Sequence, residues 1–247
     1  MQTMFRFERP LKEGRIIKRA NRFIMDVELD GQAVKCHCPT TGRIGDIEVS
    51  GVACLVSESD DPKRKLKYTV EAISCDDLEV TDKNWVGINQ VLSNKLVAHL
   101  LKTHQLDDMI SDYADIQREV SLGISKLDFL VGNTYIEVKT GLTTLNVNYG
   151  KHIAVKPAKP FSSTERFTKH INELAGSLKE HERAILLTVN QYVVTNPKPR
   201  QRSTHFEEVS AAMRNAKSKG LETWNLSLRF TPEGVALHQY ENTTDRE

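Results

Sequence analysis

Two carboxylates, Asp128 and Glu137, stand on strand-like runs on either side of a predicted turn. The dipeptide Gly132-Asn133 separates residues 125–131 from residues 134–140 and is a strong signal for a two-residue hairpin. In that hairpin the two carboxylates are direct cross-strand neighbours, with β-carbons about 4.5–5.5 Å apart, where like charges destabilise the sheet. A shared proton, which raises one pKa, or a bound divalent cation would relieve the repulsion.

Lys139 follows Glu137 by two residues, so both side chains project from the same face of the strand, and the hairpin places Lys126 opposite Lys139. A cation at this position can orient an attacking water or stabilise the charge that builds up on a phosphate. Mg²⁺ or Mn²⁺ bound by Asp128 and Glu137 would lower the pKa of its bound water and polarise the phosphoryl group. These residues predict a metal-dependent phosphodiester hydrolase, with Glu119 in the preceding strand as a candidate third carboxylate.

The other face of the hairpin supports this pairing. The same turn pairs Phe129 with Ile136. It also pairs Leu127 with Val138, which makes the whole face apolar. The simpler interpretation is a hairpin whose charged face is only solvated, and a longer loop would break the pairing. The apolar face and the order of the flanking helices and strands favour the metal site.

Short strands precede residue 83. Two alternating runs flank Asp30-Gly31, a dipeptide typical of hairpins, and VACLVSES and LKYTVEAI are two further strand-like runs. Four or five short strands with turns about every 8–12 residues predict a small barrel or sandwich, and a five-stranded oligonucleotide-binding barrel fits the length. We assign residues 1–82 to such a barrel and residues 83–247 to a second domain.

The second domain alternates helices and strands from residue 88 onward. Helical spacing or polarity predicts helices at 88–104, 164–182 and 205–219, and strands at 116–122, 124–131, 134–140, 183–190, 223–230 and 234–240. The continuous apolar run at 183–190 is typical of a buried strand. The polar stretch 141–163 is longer than an ordinary connection, and such loops are often functional.

The composition is that of an ordinary globular protein, with a net charge of only +1, 39% hydrophobic residues and 27% charged residues. No apolar run approaches the roughly 18 residues of a membrane helix, and no secretory signal is recognised, so we expect a cytoplasmic protein without a membrane partner. Basic residues cluster at 15–22, 63–67 and 198–202. Such clusters form a local phosphate-binding surface or are simply solvated.

The cysteines are Cys36, Cys38, Cys54 and Cys75, and we expect them to be reduced, buried thiols. The run Cys36-His37-Cys38 suggests zinc at first sight. On a strand, however, the two cysteines face one side and the histidine the other, and structural zinc sites usually separate paired cysteines by about two to four residues. We therefore expect no zinc.

Several motifs, in the same order and spacing, resemble those of the sugar fermentation stimulation protein A family. The motifs are Arg19-Ala20-Asn21-Arg22-Phe23, His37-Cys38-Pro39-Thr40-Thr41-Gly42-Arg43, Arg64-Lys65 with Tyr68, Trp85-Val86 with Asn89 and Asn94, Arg118-Glu119-Val120, Ser125-Lys126-Leu127-Asp128-Phe129-Leu130, Glu137-Val138-Lys139, and Thr164 with Arg166, Lys169-His170 and Glu173-Leu174. The resemblance implies an N-terminal oligonucleotide-binding barrel and a C-terminal restriction-endonuclease-like domain of the PD-(D/E)-X-K type, a mixed sheet flanked by helices.

The resemblance also implies roles for individual residues. Asp128 and Glu137 would bind the metal, Lys139 would be the catalytic lysine, and Glu119 a helper. The partner would be DNA, single- or double-stranded and bound without sequence preference. Its predicted contacts are Arg19, Arg22, Arg43, Arg64, Lys65, Lys67, Lys126, Arg166 and Lys169, with Phe23 and Tyr68 as stacking platforms. His170 is expected to pack or to donate a hydrogen bond rather than to bind metal.

The chain departs from the family pattern near the predicted site. Phe161 stands where an aspartate is usual, Phe167 where a glycine is usual, and Thr40 where an asparagine is usual. These changes leave open a second hypothesis, a non-catalytic DNA-binding protein with a regulatory link to sugar metabolism. An enzyme of sugar metabolism has less support, because the chain carries no nucleotide-cradling glycine loop and no Ser-His-Asp motif.

Overall fold

A computed structural model describes residues 3–122, 125–156, 160, 164–179, 181–199 and 202–246. Within these ranges the first elements are β1 (Phe5–Arg6), β2 (Lys12–Asn21), β3 (Ile24–Leu29), β4 (Gln32–His37), β5 (Ala53–Glu58), β6 (Tyr68–Ser74) and β7 (Trp85–Gly87). They are followed by α1 (Gln90–Lys102), β8 (Ile116–Leu122), β9 (Ser125–Val131), β10 (Thr134–Lys139), α2 (Glu165–Ser177), β11 (Arg183–Asn190), α3 (Phe206–Ser218), β12 (Glu222–Phe230) and β13 (Gly234–Asn242).

Strands β2 to β6 form the predicted five-stranded barrel, in the order β4-β3-β2-β5-β6. The parallel pairing of β4 with β6, at Cys36–Tyr68 and His37–Thr69, closes it. Asp30 and Gly31 both have positive φ, 52° and 74°, as the tight turn between β3 and β4 requires. Register shifts in β2 bend this strand so that it pairs with β3 along its length and with β5 at its start.

Strands β7 to β13 form the predicted mixed sheet, in which β10, β11 and β12 run parallel and the remaining pairs are antiparallel. Alternate residues of the central strand β11 point to opposite layers. Ile185 packs in the cluster that contains Leu96 and Leu100 of α1. Leu186 packs in the cluster that contains Leu174 of α2, with α3 on the same side. The sheet is therefore covered by helices on both faces.

Three segments join the barrel to the mixed sheet. Strand β7 pairs with β6 of the barrel and, through Trp85 and Phe230, with β12. Strand β1 crosses to the mixed sheet, where Phe5 pairs with Val235 of β13. Residues 142–155 run from the mixed sheet to the barrel, and their apolar side chains, including Leu145, complete the barrel core. Strand β1 and residues 142–155 therefore each pack against the part of the chain on the other side of the predicted division after residue 82.

The four cysteine thiols are free and buried inside the barrel core. Burial raises the pKa of Cys36 and of Cys75 to about 12. Such thiols stay protonated at neutral pH and are therefore poor nucleophiles. In the part of the chain that the structure describes, no helix has the length and apolarity needed to span a membrane.

Gly87 in β7 is required by close packing. A β-carbon added there would lie 2.7 Å from Cβ and Oε1 of Gln191 and 2.9 Å from Cδ2 of Phe230. We expect Gly87→Ala to lower the free energy of unfolding by about 1–3 kcal/mol, the usual cost of overpacking, measured by urea denaturation. Gly176 in α2 is the matched control, because nothing lies within 4 Å of its added β-carbon. Gly176→Ala should raise stability by about 0.5–1 kcal/mol, and equal destabilisation by both changes would contradict this account.

Candidate functional site

The predicted hairpin is present. Gly132 has a φ of 53°, and the pairs Val131–Thr134, Leu130–Tyr135 and Phe129–Ile136 follow the predicted register. The ladder between β9 and β10 then ends. In a regular continuation the Val138 N–H would bond to the backbone of Leu127, but it donates instead to Oδ2 of Asp128 at 2.8 Å. A side-chain carboxylate has taken the place of a backbone acceptor.

The prediction that Leu127 and Val138 share one face of the hairpin is wrong. Leu127 does not share a face with Val138: it packs with Ile171 and Leu174 of α2, whereas Val138 lies in the cluster on the α1 side of the sheet. The reason is that β9 leaves the ladder at Asp128, so the alternation of its side chains reverses there. Phe129 and Ile136 do share the α1 side, as predicted.

Strand β8 is distorted at the same level. Glu119 has a φ of 53°, which is rare for a residue with a side chain, and it is missing from a ladder whose flanking pairs are Arg118–Phe129 and Val120–Leu127. Such a conformation costs on the order of 1–3 kcal/mol and is found mainly at functional sites. Within the described residues the exposed Glu119 side chain makes no hydrogen bond or ion pair to either carboxylate, so its helper role stays a prediction.

Asp128 is held from two sides. Its Oδ2 accepts the Val138 N–H, and its Oδ1 accepts from Nδ2 of Asn94, on the second turn of α1, at 2.6 Å. Burial raises the pKa of the Asp128 carboxyl, and the nearby charge of Glu137 raises it further. The sequence motif drew attention to Asn94 only as part of a helix start, and its contact with the carboxylate was not predicted.

Glu137 is 2% exposed, and its two carboxylate oxygens are used unequally. Oε1 accepts from Nζ of Lys139 at 2.5 Å and also from Nδ1 of His170 on α2. His170 is thus a hydrogen-bonding residue, as predicted. Oε2 is buried and has no hydrogen-bond partner among the described residues. A buried carboxylate oxygen without a donor is costly, which makes this atom a candidate cation ligand.

The residues fit a divalent cation that needs few protein ligands. No cluster of three or more His, Cys, Asp and Glu side chains arranged for a metal occurs in the described ranges. Mg²⁺ typically takes one or two carboxylates and completes its shell with water and phosphate oxygens. The unpaired Oε2 of Glu137 and the raised pKa of Asp128 are both features that a cation between the two carboxylates would relieve.

The pKa shift of Asp128 predicts a pH-dependent gain in stability when the charge is removed. The pKa of Asp128 is higher in the folded protein than in the unfolded chain. Its contribution to stability is therefore fully present below the unfolded pKa, about 4, where the carboxyl is neutral. That contribution is lost as the pH rises through the folded-state pKa and the carboxyl becomes charged. At neutral pH the metal-free Asp128→Asn protein should therefore melt above wild type, by about 2–4 °C for each kcal/mol relieved. The Asn94 amide can turn over to accept from the new side chain.

Thermal melting in EDTA between about pH 4 and pH 8 checks this prediction. The difference between Asp128→Asn and wild type should shrink toward the acidic end, where the wild-type carboxyl is also neutral. Asp245→Asn, at an exposed position near the C-terminus, is the charge-matched control. A variant that is less stable than wild type at neutral pH would contradict the prediction.

On the barrel, the predicted DNA-contacting residues differ in how far they are already engaged. The Arg19 guanidinium donates to the carbonyls of Thr40, Arg22 and Gly42 at 2.5, 3.2 and 2.8 Å, so it supports a loop. The Arg22 guanidinium lies 4.6 Å from the ring centre of Phe23, which is 44% exposed. This exposed ring with a cation beside it is the arrangement expected of a stacking platform.

The other predicted contacts are spread over the barrel and the mixed sheet. Arg64 donates to Oγ1 of Thr69 at 3.0 Å, and Lys67 pairs with Glu58 at 2.6 Å while lying over the Tyr68 ring. Five further predicted contacts are also exposed: Arg43, Lys65, Lys126, Arg166 and Lys169. Phe161, and Arg200 of the third basic cluster, lie outside the described residues.

The loop that Arg19 supports lies against the elements of the site. Oγ1 of Thr40 donates to the carbonyl of Ile88, just before α1. The Gly45 N–H donates to the carbonyl of Leu142, shortly after β10, at 2.6 Å. The basic and aromatic surface around Phe23 is therefore attached beside α1 and β10, two of the elements that carry the candidate site.

The fold and site together define a class: an oligonucleotide-binding barrel joined to a restriction-endonuclease-like sheet. Family models agree with it. The SfsA N-terminal OB domain matches residues 17–88, and the sugar fermentation stimulation protein RE domain matches residues 91–234. The chain belongs to the sugar fermentation stimulation protein family.

Individual relatives span nearly the whole chain. A sugar fermentation stimulation protein homolog of Synechococcus elongatus is 36% identical over 92% of both chains. One from Pseudoalteromonas atlantica is 33% identical over 94% of this chain and 97% of its own. Among solved structures, that of Pyrococcus furiosus SfsA in complex with Ca²⁺ superposes with a TM-score of 0.73 over 98% of this chain and 97% of that one, at 19% identity. This last match supports the fold.

Proposed function

We propose that the chain binds DNA and hydrolyses its phosphodiester bonds with the help of Mg²⁺ or Mn²⁺. The observation that carries the proposal is the pair of carboxylates in β9 and β10, half-buried Asp128 and buried Glu137. Oε2 of Glu137 has no donor among the described residues, and Asp128 has a raised pKa. A solvated hairpin face would leave neither feature. Asp128 and Glu137 would hold the cation, which when bound supplies a water of lowered pKa and neutralises phosphate charge.

Asn94 and Val138 fix the direction of the Asp128 carboxylate. Each of its oxygens receives one N–H, from a helix and from the neighbouring strand. A carboxylate held in this way loses little freedom when it binds a cation or orients a water. The distortion at Glu119 is the strain that accompanies this placement.

Lys139 and His170 share Oε1 of Glu137 but differ in access to solvent. The His170 side chain is 7% exposed and that of Lys139 is 29% exposed. Facing a carboxylate, Nδ1 of His170 carries the proton and keeps Oε1 satisfied. Nζ of Lys139 is then free to move toward a phosphate and to stabilise its developing charge.

Binding is assigned to the barrel and the rim of the site. Phe23 with Arg22 offers a base-stacking platform, and exposed basic residues lie on both parts of the molecule. The related Pyrococcus furiosus protein was solved with Ca²⁺, which like Mg²⁺ takes oxygen ligands. Its presence there supports a role for hard cations in this fold.

A second candidate function is DNA binding without hydrolysis. The observation in its favour is that Lys139 and His170 already bind Glu137, so its charge is balanced without a metal. This alternative shares the binding surface of the first, and affinity measurements alone do not separate the two.

Cleavage assays separate them. Purified protein is incubated with end-labelled single-stranded DNA, duplex DNA and RNA in Mg²⁺, Mn²⁺ or EDTA. Cleavage of DNA that needs metal supports the proposal, and preferential cleavage of RNA would reassign the substrate. Binding without cleavage in both metals would favour the second candidate.

A further inference from the structure

A chain of buried hydrogen bonds connects α1 to the residue that follows Lys139. Gln191, which follows β11 and is fully buried, donates from Nε2 to the Asn89 carbonyl at 2.7 Å and to Oγ of Ser93 at 2.8 Å. Oγ of Ser93 lies 2.6 Å from Oγ1 of Thr140. We call Gln191, Ser93 and Thr140 the Gln191 relay.

Two members of the relay, Thr140 and Ser93, are sequence neighbours of residues in the candidate catalytic centre. Thr140 is the next residue after Lys139. Ser93 precedes Asn94, whose side chain holds the Asp128 carboxylate at 2.6 Å. The relay therefore ties the backbone that carries the lysine to the helix that holds the carboxylate.

The start of α1 is anchored to the barrel as well. Asn89 occupies the N-cap position, where an asparagine side chain usually accepts a free N–H of the helix, but it makes no such bond. Its Nδ2 donates instead to Oε2 of Glu71 in β6 at 2.8 Å. Glu71 is buried and accepts a second bond, from Oγ of Ser57, at 2.6 Å. The first turn of α1 is thus fixed by its neighbours rather than by its own cap.

We propose that Gln191 is a positioning residue for the hydrolysis. It ties the residue after β11 to the start of α1 and orients Oγ of Ser93, which in turn contacts Thr140 at the end of β10. In this way it holds Lys139 and Asp128 in their working arrangement. The inference rests on the proposed function. Gln191 is fully buried and its amide donates to Asn89 and Ser93, so its loss alters the placement of the reacting groups and leaves the DNA-binding surface unchanged.

Gln105 provides a matched control. Its Nε2 also donates to a backbone carbonyl and a hydroxyl, those of Thr3 and Thr103, at 2.9 and 2.6 Å, and its Oε1 is also buried without a partner among the described residues. It lies beyond the opposite end of α1. Gln191→Met and Gln105→Met therefore remove hydrogen bonds of the same types near the two ends of one helix, although Gln105 is less deeply buried.

Steady-state cleavage by the two variants tests the proposal. Gln191→Met should lower kcat about 10–100-fold, the usual effect of losing a supporting partner, with the Kd for DNA within about twofold of wild type. Gln105→Met should keep the wild-type kcat even though its Tm falls. Equal kcat values in the two variants would overturn the proposal.

A double-mutant cycle distinguishes a relay from independent packing defects. Thr140→Val removes the far end of the relay without touching Gln191. If the relay acts as one unit, adding Thr140→Val to Gln191→Met lowers kcat little further. If the kcat losses of the two single variants multiply in the double variant, the two side chains act separately, and the relay would be overturned.

Hydrogen exchange gives a readout that does not depend on cleavage. Amides of residues 136–141 should exchange faster in Gln191→Met than in wild type or Gln105→Met. Unchanged exchange would overturn the relay even in an active nuclease. If exchange is faster in Gln191→Met but the wild-type protein never cuts DNA, the nuclease proposal alone is overturned. The relay would then stand as a structural connection.

Discussion

Replacing Glu137 with glutamine is expected to lower kcat for DNA cleavage on the order of 10³-fold and to abolish measurable Mn²⁺ binding. The glutamine keeps the volume of the side chain, and its oxygen can still accept from His170 and Lys139. What is lost is the negative charge at the buried, unpaired Oε2. The change therefore separates a cation ligand from a residue that only fills space.

Cleavage assays with duplex and single-stranded DNA, together with Mn²⁺ titration by calorimetry, measure this effect. Glu207→Gln, at an exposed position in the first turn of α3, is the charge-matched control and should behave as wild type. A Glu137→Gln protein that still cuts DNA at a wild-type rate would remove Glu137 from the site.

The second large effect concerns Lys139. Lys139→Met should lower kcat by about 10²–10³-fold, because the cation that stabilises charge on the phosphate is gone. Unlike Glu137→Gln, it should bind Mn²⁺ more tightly than wild type. The Lys139 ammonium lies 2.5 Å from Oε1 of Glu137, so removing it removes a positive charge that competes with the metal.

The opposite responses of kcat and metal affinity identify this residue's role. Lys102→Met, an exposed lysine at the end of α1, controls for the loss of one positive charge and should change neither quantity. Weaker Mn²⁺ binding by Lys139→Met would show that the lysine supports the carboxylate instead of competing for it.

Much of the fold was predictable from the sequence because the local patterns were strong. Asp30-Gly31 and Gly132-Asn133 fixed two turns, and the apolar run at 183–190 became β11 with the predicted bounds. Strands β1 and β7 were not predicted, because two or three residues show no periodicity and both are held by partners distant in sequence.

The closeness of the candidate-site residues was predictable from the sequence, but their detailed geometry was less so. The turn brought Asp128 near Glu137, yet no pattern indicates that a carboxylate replaces a backbone acceptor and that the alternation of side chains in β9 reverses there. The hydrogen bonds of Gln191 to α1 were also not predicted, because a glutamine after a buried strand has no distinctive spacing. Arg19 was expected to contact DNA, and its bonds to loop carbonyls are a tertiary effect.

The pairing of β1 with β13 has a consequence for synthesis. Phe5 leaves the ribosome long before its partner Val235 is synthesised. The mixed sheet therefore cannot complete its pairing until β13 has been synthesised, and β1 stays without a partner while the barrel folds. Contacts of such long sequence separation slow folding and leave an apolar segment open to aggregation in the meantime.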